Sequence, residues 1–253
     1  MAGKDRLDLI KQILLDEKNV NVTILSEQFS VTEETIRRDL GKLADEGLVT
    51  RTYGGAILNS EANSEGVHFY KRMSTHHEEK RAIAIKALPM LDEKYTIAAD
   101  SSSTVMEVLK LLKNRADVTV LTNSVVALSE LMQAQMTMIS TGGILNKRTM
   151  SLQGKITNQT IADYAFDVVL MSCKGLDKDR GAVDSNEAEA AIKLAMLTRA
   201  DKVIMLIDHT KFDRSAFLKL ADFEHIDYLV TDRKPSEEWL NFLDKYNIKI
   251  IYP

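Results

Sequence analysis

Thr35, Arg37, Arg38 and Lys42 place a hydroxyl and three cations within eight residues. On a helix, Thr35, Arg38 and Lys42 fall at i, i+3 and i+7 on one stripe, with Arg37 beside it. A helix that enters the DNA major groove needs such a stripe. Arginine can bridge guanine O6 and N7 with two hydrogen bonds, and either cation can hold phosphates. The same residues also fit a solvated charged face on a small helical bundle. A second set lies downstream: Asp100-Ser101-Ser102-Ser103-Thr104, Thr122-Asn123-Ser124, Gly142-Gly143, Lys174-Gly175, Asp184, Glu187, Lys193, Asp208 and Lys211. Hydroxyls and free amides that open a helix make an anion site. Glycines let a ligand approach the backbone. The plainer account of the serine run is an ordinary N-cap cluster, and that of Glu187 and Lys193 is a solvated helix pair whose i, i+6 spacing does not favour direct pairing.

The elements that must position these groups can be read from periodicity. Leu7, Ile10, Ile13 and Leu14 mark a first helix, and Leu25 and Phe29 a short second one near Ile24–Phe29. Ser30-Val31 reads as a turn, and Thr32 before Glu33 and Glu34 as a capped helix start. The third helix buries Ile36, Leu40 and Leu43 and ends at Gly47, a C′ residue. Leu48–Arg51, Thr52-Tyr53 and Gly54-Gly55 read as strand, turn and strand: a wing whose Arg51 and Tyr53 could reach flanking DNA backbone. Val22, Ser26, Thr32 and Glu34 complete the expected DNA-facing set.

Residues 59–75 are polar and read as a linker. A helix follows from His77 to Leu88, stopped near Pro89. Beyond Tyr95, apolar runs at Thr96–Ala99, Val118–Leu121, Met136–Ile139, Val168–Met171, Val203–Ile207, Tyr228–Val230 and Ile248–Tyr252 are separated in many places by helical stretches. This alternation predicts a mostly parallel sheet covered on both faces. The serine, threonine, glycine and lysine clusters then sit at C-terminal strand ends, where open α/β sheets bind ligands.

Composition bounds the function. No apolar run approaches the ~20 residues of a membrane span, and no signal peptide is read. The single cysteine, Cys173, excludes an intrachain disulfide framework, so a cytoplasmic protein without membrane association is expected. Cys173 reads as a packed thiol. The net charge is −4, and residues 1–58 carry eight Lys/Arg against ten Asp/Glu. DNA binding must therefore rest on where the cations sit. No phosphate-loop or dinucleotide motif is present, and no cofactor is expected. His76-His77 lacks a second ligand cluster at suitable spacing, so no metal is assigned.

The segment from Arg6 through Gly55 resembles the DeoR family of bacterial transcriptional regulators. The resemblance is carried by Val22-Thr23-Ile24-Leu25-Ser26, by Val31-Thr32-Glu33-Glu34-Thr35-Ile36-Arg37-Arg38-Asp39-Leu40, and by Leu48 to Ala56 with Arg51 and Gly54-Gly55. It implies a winged helix-turn-helix at 1–58, a linker at 59–75 and an effector-sensing domain at 76–253. The latter is similar to the ribose-5-phosphate isomerase and glucosamine-6-phosphate deaminase fold. The implied function is a regulator, in most such cases a repressor of a carbohydrate-utilisation operon, controlled by a phosphorylated sugar. Half-site reading implies a dimer or tetramer on double-stranded operator DNA. Two departures bear on the sensor: Ser102 stands where the family pattern usually has glycine, and Asn146 where it often has arginine. Lys147 and Arg148 follow Asn146, and which of the three faces a ligand is open. The alternatives are a sugar-phosphate isomerase or deaminase with an attached helical domain, using carboxylates such as Asp184 and Glu187 for proton transfer, and a pure interaction module.

Overall fold

A computed structural model describes residues 3–45, 48–59, 69, 72–91 and 95–253. The chain divides into two compact units, Met1–Thr75 with Lys147–Thr149, and His76–Asn146 with Met150–Pro253. Gly47 and most of the expected linker lie outside the described residues.

The first unit runs α1 (Gly3–Glu17), β1 (Asn19–Asn21), α2 (Val22–Phe29), α3 (Glu33–Asp45), β2 (Val49–Arg51) and β3 (Gly55–Leu58). The strands form an antiparallel sheet in the order β1-β3-β2. Periodicity finds the helices because each has one apolar face. Ile10 and Leu14 of α1, Leu25 of α2, and Ile36, Leu40 and Leu43 of α3 share one core with Val20, Val49, Ala56 and Leu58. Local chemistry sets the bends. Asn21 Oδ1 accepts the Thr23 amide at 2.8 Å and so caps α2. Ser30 takes the left-handed conformation at φ 51° and closes that helix. The Thr32 hydroxyl accepts the Thr35 amide at 3.3 Å, as expected for a helix start. Strand β1 was not expected, because three residues with one buried side chain give no readable period. Gly55 is fixed by space: a Cβ there would lie 1.7 Å from the Val20 carbonyl oxygen.

The second unit is built on seven parallel strands in the order β15-β14-β12-β9-β4-β5-β6. They are β4 (Thr96–Ala99), β5 (Thr119–Thr122), β6 (Thr137–Ser140), β9 (Val168–Met171), β12 (Val203–Leu206), β14 (Tyr228–Val230) and β15 (Lys249–Ile251). All four residues of β9 and of β12 are buried, as a strand covered on both faces requires. The helices are α4 (His77–Ala87), α5 (Ser103–Leu112), α6 (Val125–Glu130), α7 (Lys155–Ala162), α8 (Glu187–Leu197) and α9 (Glu237–Asp244). Antiparallel pairing is segregated from the main sheet. Strands β7 (Ile144–Asn146) and β8 (Ser151–Gln153) form a hairpin, and β10 (Gly175–Asp177), β11 (Gly181–Asp184) and β13 (Leu218–Ala221) form a small sheet. The large sheet builds β4, β5 and β6 in one direction, then returns to place β9 on the other side of β4. Its topological switch point is therefore between β4 and β9.

One buried ion pair ties α1 to α3: Arg6 Nε donates to Asp39 Oδ2 at 2.6 Å, and both side chains are more than nine-tenths buried. Breaking such a pair on one side strands a charge and costs about 3–5 kcal/mol. Arg6→Met should therefore lower the stability of the first unit by that order in urea unfolding of the full chain. Arg6→Met combined with Asp39→Leu should recover most of the loss. An unchanged midpoint in Arg6→Met would contradict the role given to the pair.

Candidate functional site

Helix α3 divides its residues cleanly. Ile36, Leu40 and Leu43 are fully buried, whereas Glu34, Arg38 and Lys42 are exposed and Thr35 is half-buried. Arg37 is also half-buried, and its Nη2 donates to Glu33 Oε2 at 3.0 Å. Glu33 in turn accepts the Thr23 hydroxyl at 2.7 Å. These hydrogen bonds, from Thr23 first and Arg37 second, hold the Glu33 carboxyl below its ordinary range. The Thr23–Glu33–Arg37 chain thus fixes α2 against the start of α3. A Cβ on Gly41, beside Lys42, would meet nothing within 4 Å, so the exposed stripe faces open space there.

Three expected DNA-facing residues are placed differently. Val22 is 1% exposed and belongs to the core, because the residue that starts α2 points inward. Ser26 is buried and returns its hydroxyl to the Thr23 carbonyl at 2.8 Å. Arg51 donates from Nη1 to the Arg37 carbonyl at 2.5 Å and from Nε to the Gly55 carbonyl at 3.2 Å, so its guanidinium braces the wing against α3. Tyr53, at the wing turn, is 66% exposed, and Thr32 is exposed at the start of α3.

In the second unit, the switch point collects most of the remaining candidates. Asp100 follows β4 and accepts the Ser172 amide at 3.1 Å, just past the end of β9. It also accepts the Ser102 amide at 2.9 Å, which shapes the turn into α5. Lys193 reaches in from α8. Its Nζ donates to Asp184 Oδ2 at 2.6 Å and to the Ser172 carbonyl at 2.8 Å, and lies 3.5 Å from Asp100 Oδ2. All three charged side chains are buried. Lys193 therefore pairs with Asp184 and Asp100, not with Glu187, which is exposed on the first turn of α8.

The other groups sit along the same sheet edge. Ser101, Ser103 and Thr104 are buried at the start of α5, and Ser102 caps that helix by accepting the Val105 amide at 3.3 Å. Its φ of −80° is ordinary for serine, so the missing glycine imposes no strain. The Thr122 hydroxyl donates to the Ala99 carbonyl, and Ser124 caps α6. Asn123 is fully buried, and its Oδ1 has no hydrogen-bond partner. Lys174 is exposed in the short connection between β9 and β10. Burial raises the Asp208 carboxyl, but hydrogen bonds from Thr210 and the charge of Lys211 bring it below its ordinary range. Gly143 serves protein packing: a Cβ would lie 2.2 Å from Thr157 Oγ1 and 2.6 Å from the Gln153 carbonyl oxygen. Gly175 likewise gives way to the Arg214 carbonyl oxygen, which would lie 2.0 Å from a Cβ at that position. Gly142, at φ 64°, holds the left-handed turn. Asn146 donates to Gln153 Oε1 at 3.3 Å within the β7–β8 hairpin, and Lys147 and Arg148 are exposed in its turn. Cys173 is buried, and desolvation raises its thiol to about 12, as for a packed side chain.

Glu189 was missed by sequence reasoning. Its carboxylate is buried and accepts Ser101 Oγ at 2.9 Å, Ser151 Oγ at 2.5 Å and Gln153 Nε2 at 2.6 Å. It thereby links α8, the hairpin and the start of α5. The signal was hidden because Glu189 stands three residues after the cap Asn186, where an acid reads as an ordinary capping partner.

The Asp184–Lys193–Asp100 cluster makes a pH-dependent contribution to stability. Burial pushes the Asp184 carboxyl up, but the Lys193 charge and hydrogen bond, with the Ser185 amide, pull it below its ordinary value. Its stabilisation is thus present above the unfolded-state value near ~3.9 and is lost as pH falls through the lower folded value. Asp184→Asn should flatten the acid limb of a melting-temperature profile between about pH 5 and 2. Lys193→Met should cost about 3–5 kcal/mol at neutral pH by stranding two carboxylates. Wild-type acid sensitivity retained in Asp184→Asn would contradict this account.

Comparison with known proteins agrees with both units. Residues 6–62 match the DeoR-like helix-turn-helix domain, and residues 75–233 match the DeoR C-terminal sensor domain. An uncharacterised HTH-type transcriptional regulator of Bacillus subtilis is 35% identical over 99% of this chain and 96% of its own. The L-fucose operon activator of Haemophilus influenzae is 31% identical over 97% and 98%. The glycerol-3-phosphate regulon repressor of Escherichia coli is 29% identical over 96% and 95%. Among solved structures, ribose 5-phosphate isomerase A of Methanocaldococcus jannaschii is similar over 55% of each chain, with a TM-score of 0.41 and 14% identity. The helix-turn-helix unit with its exposed α3 stripe, the parallel-sheet unit that follows it in the chain and these full-length relatives agree: the chain belongs to the DeoR family of DNA-binding transcriptional regulators.

Proposed function

We propose that this protein represses a carbohydrate-utilisation operon in the cytoplasm and is controlled by a phosphorylated sugar bound at the β4/β9 switch point. The observation that carries the sensor reading is the convergence there of the α5 N-terminus, the serine turn 101–104 and the exposed Lys174. A helix N-terminus favours an anion, and a lysine adds charge attraction. The orphaned Asn123 Oδ1 is an acceptor suited to a sugar hydroxyl. The relative named as a glycerol-3-phosphate regulon repressor supports a phosphorylated ligand, and the one named for the L-fucose operon supports a carbohydrate. Asp100, Asp184 and Lys193 are then the frame of the site, since the buried ammonium bridges the two carboxylates. Glu189, held by Ser101, lies on its hairpin side.

DNA reading falls to Thr35, Arg38 and Lys42, with Glu34 and Arg37 beside them and Tyr53 on the wing. A homodimer or tetramer follows from the two half-sites that such regulators read. The effector controls DNA binding only if it favours one of two states of different operator affinity.

Two measurements test the reading. Arg38→Ala should lose about 10–100-fold in affinity for a duplex selected by the wild-type chain from a random-sequence library, as expected for a base-reading arginine. A circular dichroism spectrum would confirm that it remains folded, and unchanged fluorescence anisotropy titrations would overturn the assignment. In a thermal-shift panel, one or more sugar phosphates should raise the wild-type melting temperature while the unphosphorylated sugars do not. Lys174→Ala should need roughly ten-fold more of the same ligand for an equal shift. Equal response to phosphorylated and unphosphorylated sugars would refute the anion site.

A further inference from the structure

A second cluster of charged and metal-ligating side chains lies at the same edge of the sheet, away from the switch point. Asp232 follows β14 and His209 follows β12, so both stand at C-terminal strand ends, while Glu79 comes from the first turn of α4. Asp232 is buried and the other two are partly so. Their potential ligand atoms all lie within 4.8 Å of one another. His209 Nδ1 is 2.7 Å from Asp232 Oδ2, and the His209 backbone amide donates to Asp232 Oδ1 at 2.6 Å. The second hydrogen bond fixes the carboxylate so that its other oxygen faces the imidazole. His76 adds a further imidazole. Its ring packs edge-on to that of His209 with centroids 6.2 Å apart, and its Nδ1 is 3.8 Å from Glu79 Oε1.

We propose that Glu79, His209 and Asp232 bind one late first-row divalent cation, of which Zn²⁺ is the representative, and that the ion pins the first turn of α4 to the ends of β12 and β14. Imidazole with carboxylates suits Zn²⁺ and its neighbours, whereas Mg²⁺ and Ca²⁺ prefer oxygen alone. Zinc–ligand bonds of about 2.0–2.2 Å put ligand atoms about 3.3 Å apart in a tetrahedral site. The His209–Asp232 contact must then open by about 0.6 Å as the ion replaces the proton between them. The Glu79 oxygen, on a partly exposed side chain, closes in from the other side. Arg233 is the rival cation: its Nε is 3.4 Å from Asp232 and its Nη2 is 3.8 Å from Glu79. Its side chain is 62% exposed, so it can withdraw to solvent when the ion enters. Sequence spacing conceals the set, because Glu79 is far from the other two along the chain and only the fold joins them.

The test uses the full chain, stripped with a chelator and desalted, then titrated with Co²⁺ as the spectroscopic probe and with Zn²⁺ in competition. One Co²⁺ per chain should bind with visible d–d absorption typical of nitrogen and oxygen ligands, and Zn²⁺ should displace it. His209→Ala and Glu79→Gln should each weaken binding at least ten-fold, while the exposed neighbour variant Glu78→Gln should leave it unchanged. Arg233→Gln should tighten it by removing the competing charge. Melting curves of the metal-free variants establish that His209→Ala and the milder Glu79→Gln are folded. Absence of Co²⁺ binding, wild-type affinity in both ligand variants, or a near-ultraviolet thiolate band assigning the ion to Cys173 would each overturn the proposal.

Discussion

The ammonium of Lys193 sits between Asp184 and Asp100 and also donates to the Ser172 carbonyl. Those contacts join α8, β11, the end of β4 and the end of β9 at the one place where the direction of strand addition reverses. A parallel sheet leaves a crevice there in any case. What the ion cluster adds is a fixed floor. Two carboxylates buried side by side would repel each other and drive the loops apart, and one buried lysine alone would be equally costly. Together they hold the Asp100 turn so that Ser101–Thr104 present the start of α5. The negative balance of the cluster disfavours an anion among the buried carboxylates, so the ligand site we propose lies at the helix N-terminus and Lys174.

The helix-turn-helix obeys the same division between charge used to build and charge left to act. Arg6 and Asp39 are spent on joining α1 to α3, and Glu33 with Arg37 on joining α2 to α3. Arg51 braces the wing. Of the eight Lys/Arg in residues 1–58, Arg38 and Lys42 are the pair exposed along the recognition stripe. Bulk charge is therefore a poor guide for this unit. Its mild acidity is compatible with DNA reading because several cations and acids have already neutralised one another within the fold.

The sequence made the periodic parts legible. The Ile36-Leu40-Leu43 stripe, the Thr32 start of α3 and the seven strands of the large sheet each lie within a residue or so of their expected place, and β9 and β12 are buried throughout. The short antiparallel pieces were not legible, because β1, β7, β8 and β10 are three residues long and owe their existence to their partners. Strand-end placement singled out Asp100, Lys174, Asp184 and Lys193 as candidates, but spacing could not show that Lys193 is shared by the two carboxylates Asp184 and Asp100. Val22 and Ser26 were misplaced because a motif match does not say which side of a short helix faces inward. Glu189 was hidden by its resemblance to a capping residue, and Gly143 and Gly175 admit protein backbone and side chain where a ligand was expected.

The central claim is that phosphorylated ligand and DNA are read by separate parts of one chain, the ligand at the β4/β9 switch point. Hydrogen–deuterium exchange of the full chain, with and without a stabilising sugar phosphate, addresses it most directly. The account predicts slowed exchange concentrated after β4, in the turn and first residues of α5 at 100–105, and after β9, in the connection to β10 at 172–175, together with a change in the exchange of α3 or in its operator affinity. Protection confined to other strand ends, with these two turns exchanging as in the free protein, would contradict it.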